Sequence, residues 1–483
     1  MSRDLSFFIL GIFLSCGARA GETLLSEESL LQNYRQRSVQ QKALAAQKAA
    51  TDLSASLVDE IYQPRLKALY NYSKSTEEGS LFQPTFSPQK MSQIGVSQKT
   101  PFGFAADLAA THSAMSTADG ALNNDTTVGL KLGLSVDLWK NLFGSLDRAQ
   151  IKSVQLQKKR GELEEKVSIK KSENEIRKIF WSLVAVDENL QLTQSLLSSA
   201  ERQSKDAIAR NASGVADKGE VAKYKSLVES RRGSLLLYEY EKEQLLGAIE
   251  SLINDYSTRE LQVAKVNDDQ VKQKQIFSCI DSLSKDPKPN LDATYSDEIL
   301  GLLGMQADSE YEVASKHADW DFGFQAFLQS SGRSNSFSDA FSELTGDWKN
   351  GYGVGLFLSV PLGSSSNQSE KALAVAKKMS LEAQKEMVLN QFKSSHITLV
   401  KGLKLLGEGL NTQKANSENL NINFNEMRTK FNQGRVPLSM LISEQDLLFH
   451  SRLQEIQLKK MIAHTLLDYF SVFTEYPCAW NSI

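Results

Sequence analysis

Long apolar runs are what this 483-residue sequence most lacks. Beyond its N-terminus it has no stretch of about 18 consecutive apolar residues, so no membrane-crossing helix is expected. An excess of charge is lacking too: the formal net charge is −3, and no basic patch offers nucleic acid a footprint. Histidine is scarce, and His112, His317, His396, His450 and His464 fall into no H-E-x-x-H or other metal-ligand spacing. No C-x-x-C pair occurs. The run from Gly351 to Gly355 reads G-Y-G-V-G, which is not the dinucleotide fingerprint, and it lies inside an alternating pattern rather than ahead of a helix. There is no phosphate loop. Nothing here argues for an enzyme, a cofactor or a bound metal.

Cysteine is nearly absent: Cys16, Cys279 and Cys478. The first lies in a leader. Arg3 and Asp4 precede an apolar run from Leu5 to Leu14, and Ala18, Arg19 and Ala20 form an A-x-A cleavage signal. Residues 1–20 therefore read as a secretory signal peptide, too short to anchor the chain across a bilayer. Its loss takes the formal charge from −3 to −4. The rival reading makes Cys16 a lipid-bearing first residue, but Phe13, Leu14 and Ser15 match the small-residue context for that poorly. Export lets Cys279 and Cys478 oxidise, and two cysteines allow one intramolecular pair; two free thiols are the other reading.

Proline is missing over a long span, residues 126–214, and this span organises the chain. Val128, Leu130, Leu132, Leu134, Val136 and Leu138 share one parity; Thr127, Gly129, Lys131, Gly133, Ser135 and Asp137 share the other. Such alternation predicts a strand with one apolar and one polar face. After Gly144 the spacing becomes helical and stays so to Arg210, broken only by Gly161. A helix of that length reaches about 100 Å.

The rest of the chain falls in order around this join. Residues 21–62 read as an N-terminal helix, ended by Pro64. Residues 63–138 hold strands: one over 65–73, two more over 91–99 and 102–113, and the strand above. Residues 139–256 form a long helical hairpin that turns at Gly214. Asp217 and Glu220 have capping-box spacing, with Asp217 the N-cap. Residues 257–290 are a charged linker. The plan then repeats: a helix over 291–317, strands within 318–363 separated by a polar loop over 330–349, a second hairpin over 364–473 that turns at Gly434, and a tail, 474–483. Pro437 suits the first position of the return helix, and the serines at 364–366 suit its partner's cap. Gly214 with Gly434, Leu227 with Leu447 and Arg232 with Arg452 superpose at one offset, which marks an internal repeat.

Strands of about nine to twelve residues with one apolar face suit a transmembrane barrel, lipid outside and water inside. Tyr70, Tyr72, Trp139, Trp320 and Tyr352 lie near strand ends, where aromatic girdles belong. A soluble sheet with one wet face is the alternative. Four to six strands cannot close a barrel alone, so several chains have to share one. The helices are too charged for lipid. They should stand in water as a coiled-coil-like wall, with 372, 376, 379, 383 and 387 as a narrow seam.

The order helix, strands, long helix, glycine turn, helix, written twice behind a signal peptide, resembles the outer-membrane efflux protein family, the TolC-like channel-tunnels. The segments 209–228 and 430–448 resemble that family's tip signature. The resemblance implies a membrane α+β fold: a homotrimer with a shared transmembrane β-barrel continuous with a long periplasmic α-helical barrel. It implies a bacterial outer-membrane exit duct for efflux or type I secretion, surrounded by outer-membrane lipid. An adaptor (membrane fusion) protein and an inner-membrane pump would open it at the helix tips. Gly214, Asp217, Glu220, Gly434, Arg435 and Pro437 become docking candidates; Glu220, Phe431 and Arg435 become gate candidates, with gating by ion pairs reduced at best to Glu220 with Arg435. The linker and the C-terminal segment would form an equatorial belt, which would hold both Cys279 and Cys478. Departures stand out: Phe431 replaces a common tyrosine, and Met440 and Ser443 replace acidic aperture residues. The strands over 91–113 exceed a four-strand plan; they would either widen the barrel from twelve strands to eighteen or fold over its rim as an outer hairpin. An exported, non-transporting scaffold is the alternative function, but a spacer has no use for apolar strand faces.

Overall fold

The computed structural model describes residues 25–74, 86–117, 125–254, 294–317, 320–346, 349–360 and 364–472, with positions 278, 281–282 and 285. The signal segment, Cys16, Cys279, Cys478, the tail and most of the 257–290 linker lie outside the described residues.

The N-terminal segment forms two helices, not the one expected. In α1 (Glu27–Arg37), Ser26 caps reciprocally with Ser29: the Ser26 hydroxyl accepts from Ser29 N at 3.2 Å and the Ser29 hydroxyl from Ser26 N at 3.0 Å. Ser38 ends α1 and caps α2 (Val39–Glu60), its hydroxyl accepting from Gln40 N at 3.2 Å. A serine accepting from the backbone offers it an alternative to the helical ladder, which is why the pattern breaks there.

The strands are β1 (Arg65–Ser73), β2 (Phe86–Lys99), β3 (Phe104–Thr117), β4 (Asp125–Asp137), β5 (Asp321–Ser334) and β6 (Asn350–Ser359). They form one antiparallel sheet in sequence order. The 91–113 hairpin is therefore no rim ornament: β2 and β3 are hydrogen-bonded between β1 and β4. Registers keep one parity on one face throughout. The row Leu66, Val96, Leu108, Leu132, Leu328, Tyr352 crosses all six strands, and Gln98, Ala106, Leu134, Ala326, Val354 runs beside it. On the opposite face, glycines accept side chains lying flat. A Cβ at Gly353 would stand 2.4 Å from the Phe327 ring, one at Gly323 2.1 Å from Phe357, and one at Gly133 2.3 Å from the Asp107 carboxylate. These glycines thin the polar face.

The expected loop over 330–349 is a correction. β5 continues to Ser334, and α6 (Phe337–Gly346) follows. Ser336 caps it, its hydroxyl accepting from Asp339 N at 3.2 Å.

The long helices are α3 (Ser145–Ala212) and α7 (Ser364–Asn432), of 68 and 69 residues. The others are α4 (Lys218–Ile253), α5 (Tyr295–His317) and α8 (Leu438–Val472). Near the sheet the layer runs α2, α3, α5, α7; beyond it, α4, α3, α8, α7. Four helices thus lie side by side at each level. The changeover is where the cores concentrate: Leu30, Tyr34, Ile176, Leu183, Ile249 and Ile253 in one, Leu403, Leu410, Leu466 and Phe470 in the other, with Trp181 packed against both. Gly161 is tolerated in α3 because Thr51 of α2 crosses there, its Cγ2 3.1 Å from where a Cβ would stand. No described helix is long and apolar enough to cross a membrane.

At the join, β4 turns into α3 through Leu142–Gly144, with φ +51° at Phe143 and +75° at Gly144. Asn141 organises the turn: its Oδ1 accepts from Leu146 N and Asp147 N at 2.9 and 3.2 Å, and its Nδ2 donates to Asp147 at 2.6 Å. The Asp147 carboxylate, 1% exposed, also takes the Lys99 ammonium of β2 at 2.7 Å. The β2–β3 turn is thereby clamped under the join, and a Cβ on Gly144 would sit 1.9 Å from the Pro101 carbonyl oxygen.

Candidate functional site

Both helical tips are built the same way. Gly214 (φ +73°) and Gly434 (φ +71°) adopt the left-handed conformation that side chains resist. Val215 N donates to Arg210 O at 2.9 Å and Gly214 N to Asn211 O at 3.0 Å; Arg435 N donates to Lys430 O at 2.9 Å and Gly434 N to Phe431 O at 2.9 Å. This bond pair is the Schellman ending of a helix, made twice. The return helices start differently. Asp217 Oδ1 accepts from Glu220 N at 2.6 Å, whereas Pro437 precedes α8, one place earlier than expected. The capping box is half made, because the Glu220 carboxylate does not turn back to Asp217. Asp217→Ala is expected to cost about 1 kcal/mol, seen as roughly fivefold faster amide exchange in the first turn of α4.

Glu220 goes to Arg210 instead, an ion pair closing the first hairpin on itself. This corrects the expected Glu220–Arg435 pair; Arg435 makes no ion pair within the described residues. Arg210 also lies over the Phe431 ring, 5.7 Å from its centroid, so it reaches from the first hairpin to the second. Phe431 leans on a cluster of Ala200, Ala207, Tyr224, Leu227, Val228 and Leu438. Tyr224 is 2% exposed, and burial pushes its phenol up to about 12. Tyr224 thus brings a buried, neutral phenol to the same tip cluster that Phe431 leans on. Further in, Arg231 of α4, 6% exposed, pairs with Asp446 of α8, and its guanidinium lies 4.6 Å from the Phe449 ring centroid. Arg210, Tyr224 and Arg231 are not singled out by the sequence, because their contacts lie across the turn or on neighbouring helices.

A groove of about 950 Å³ opens between α3 and α7 beside the tips. Arg202, Arg210, Arg428 and Arg452 line it against one carboxylate, Asp206. Arg452 donates to the Asn421 side chain at 3.2 Å. The balance favours an acidic occupant.

Among the described residues no group of three or more His, Cys, Asp or Glu could hold a metal. No protein-family model matches the sequence, and no curated protein does. Solved structures match closely in shape. The outer membrane protein VceC of Vibrio cholerae shares a TM-score of 0.69 at 13% identity, over 93% of this chain and 97% of that one. The Campylobacter jejuni CmeC outer membrane channel shares 0.66 at 12% identity, over 98% and 93%. The chain has the TolC-like outer-membrane channel fold. The open state of the Neisseria gonorrhoeae MtrE outer membrane channel matches it at 0.61 and 12% identity, over 92% and 88%. In this fold the two Schellman turns form the tip of the chain, farthest from the sheet, and the join at Gly144 lies where sheet gives way to helix. Identity this low carries the fold without the tip chemistry. The Arg210–Glu220 and Arg231–Asp446 contacts are read from this chain's own side chains.

Proposed function

We propose that three copies of this chain form an exit duct through a bacterial outer membrane, serving efflux or type I secretion. A periplasmic adaptor and an inner-membrane pump open it at the helix tips. One observation carries the reading: on one face an apolar band crosses all six strands, backed by a polar, glycine-thinned face. Leu66, Leu132, Tyr352, Val354 and Leu356 on it are all exposed in the isolated chain. Water does not tolerate such an area; lipid does. Trp139 and Trp320 lie at the helix end of the sheet and Tyr70, Tyr72 and Tyr352 toward the other, all exposed, as interfacial girdles require.

Register supplies the geometry. Arg65, at the base of β1, is level along the hydrogen-bond direction with Gly353, six residues from the base of β6 at Ser359. With strands about 4.8 Å apart and a rise of about 3.3 Å per residue, that slant is a tilt of about 40°, inside the range for membrane barrels. At such a tilt, eighteen strands enclose a barrel about 35 Å wide and twelve only about 24 Å. Twelve helices, four per chain, at about 9–10 Å spacing make a wall about 36 Å wide. Eighteen strands match it. The uncovered edges of the helical layer fit the same closure: Leu53 and Leu57 on α2 face outward at one edge, Leu373, Met379 and Met387 on α7 at the other. The seam read from the sequence is thus bare in one chain and covered by the next. The arginine groove takes an acidic segment of the adaptor.

Detergent extraction with native mass measurement, followed by planar-bilayer recording, tests the reading. A trimer that conducts is expected; a soluble monomer without channel activity overturns it. Reversing Arg202 and Arg428 to glutamate is expected to weaken adaptor capture at least tenfold at low salt, an effect that shrinks as salt rises.

A further inference from the structure

We infer that α6 is an interfacial helix whose exposed phenylalanines contact the acyl chains of outer-leaflet lipid; this rests on the outward placement of the apolar sheet face. Ala340 and Leu344 bury against Val128. The helix lies directly on the sheet, since a Cβ at Gly332 would stand 2.0 Å from the Ala340 carbonyl oxygen and 2.5 Å from Leu344 N. Val128 and Gly332 are register partners, and their row continues to His112. That row has the same parity as Leu130, Leu132 and Leu328, so α6 sits on the apolar face, at the end remote from the long helices. There the strands stop supplying apolar residues: Thr126, Ser330, Ser334 and Lys90 occupy the same parity.

The helix replaces what the strands no longer provide. Phe337 and Phe341, one turn apart, are 56% and 49% exposed, with rings stacked at 6.2 Å. Phe337 also meets the His112 ring edge-on at 5.3 Å. Folding does not need these rings outside, because Ala340 and Leu344 already make the contact with the sheet. Two of the flanking carboxylates are paired with cations: Glu343 with Lys349, while it also accepts from Arg333 N, and Asp125 with Arg333; Asp339 keeps its charge and accepts from the Ser336 hydroxyl. Beside the two aromatic rings, the Glu343 and Asp125 charges are thus offset by Lys349 and Arg333. The apolar band and the ring pair are continuous, and the occupant of one is the occupant of the other.

The test replaces Cys16, Cys279 and Cys478 with serine and labels single cysteines with an environment-sensitive fluorophore. Phe341→Cys reports on α6, Leu356→Cys on the apolar band and Gln329→Cys on the polar face. The full-length channel is reconstituted into phosphatidylcholine vesicles containing lipid with a nitroxide on its acyl chain. The label at 341 is expected to lose emission to the nitroxide lipid as the label at 356 does, and to be quenched by aqueous iodide several-fold less than the label at 329. Iodide quenching at 341 equal to that at 329, with 356 still protected, overturns the inference and leaves the channel reading intact. Protection from iodide at 341 without nitroxide quenching also overturns it, by showing a protein on the helix rather than lipid. If 356 is open to iodide as well, the membrane reading has failed with it.

Discussion

Valine in place of Gly144 is expected to prevent assembly of the proposed trimeric channel. The residue holds φ +75° at the turn from strand to long helix, where a β-branched side chain costs at least about 1–2 kcal/mol in backbone strain. The larger cost is steric, because the new Cβ would stand 1.9 Å from the Pro101 carbonyl oxygen and 2.7 Å from Phe102 Cα, both backbone atoms that cannot step aside. Relief requires moving the β2–β3 turn off the join, which breaks the Lys99–Asp147 contact and the Asn141 turn with it. The expected readout is loss of the three-chain mass on native measurement and accumulation of unassembled chain. Gly214→Val is the control. Its φ is nearly the same, +73°, but nothing lies within 4 Å of its Cβ position. It should lose only the strain term and still assemble. Equal defects in both variants would show that backbone conformation alone, not the clamp under the join, accounts for the first.

The second large effect belongs to Arg231. Its buried guanidinium ties α4 to Asp446 and Phe449 of α8. Removing one member of a buried pair typically costs about 3–5 kcal/mol. Here Asp446 remains 40% exposed and rehydrates, so about 1–3 kcal/mol is the better figure. Arg231→Met keeps the stem on Phe449 and deletes the charge. It should raise resting conductance in bilayers and sensitise cells to antibiotics too large for the outer membrane. Glu220→Gln, by contrast, loses a partly exposed pair within one hairpin, worth under about 1 kcal/mol, and should change conductance little. A larger leak from Glu220→Gln than from Arg231→Met would move the lock back to the turn, where the sequence alone places it.

The difference between these two sites shows what the sequence discloses and what it hides. Period-two alternation and long runs free of proline fix element type wherever one face is uniformly apolar. That is why β4, α3 and α7 emerge from residues alone, with ends within a residue or two. Over 330–349 the signal fails. The strand's parity turns polar at Ser330 and Gly332 because α6 covers them, and a ten-residue helix is too short for its periodicity to stand out among serines. The break at Ser38 is hidden for a similar reason, since one capping serine looks like any other in an alanine- and glutamine-rich helix. At the tips, Gly214, Asp217 and Gly434 are legible because their roles are local: a left-handed φ and a cap. Arg210, Tyr224, Arg231 and Asp446 are not, because their roles depend on which helices are neighbours. The expected Glu220–Arg435 pair fails on the same point, since Arg210 lies across the turn from Glu220 and reaches it first.

A shared barrel requires the sheet to close from chain to chain. With β6 of one chain beside β1 of the next, one register pairs all nine residues of β1, from Ser359 opposite Arg65 to Gly351 opposite Ser73. It sets Val354 against Tyr70, Leu356 against Ala68 and Leu358 against Leu66, apolar on apolar, and joins the two strand bases with no further stagger. The direct measurement is oxidative crosslinking of a protein without native cysteines that carries Val354→Cys and Tyr70→Cys. A covalent three-chain species is expected, with far less from Val354→Cys combined with Leu66→Cys, two positions further along the same face. A native-mass trimer in which the Val354 and Tyr70 positions fail to crosslink would contradict eighteen-strand closure and, with it, the inclusion of β2 and β3 in the channel wall.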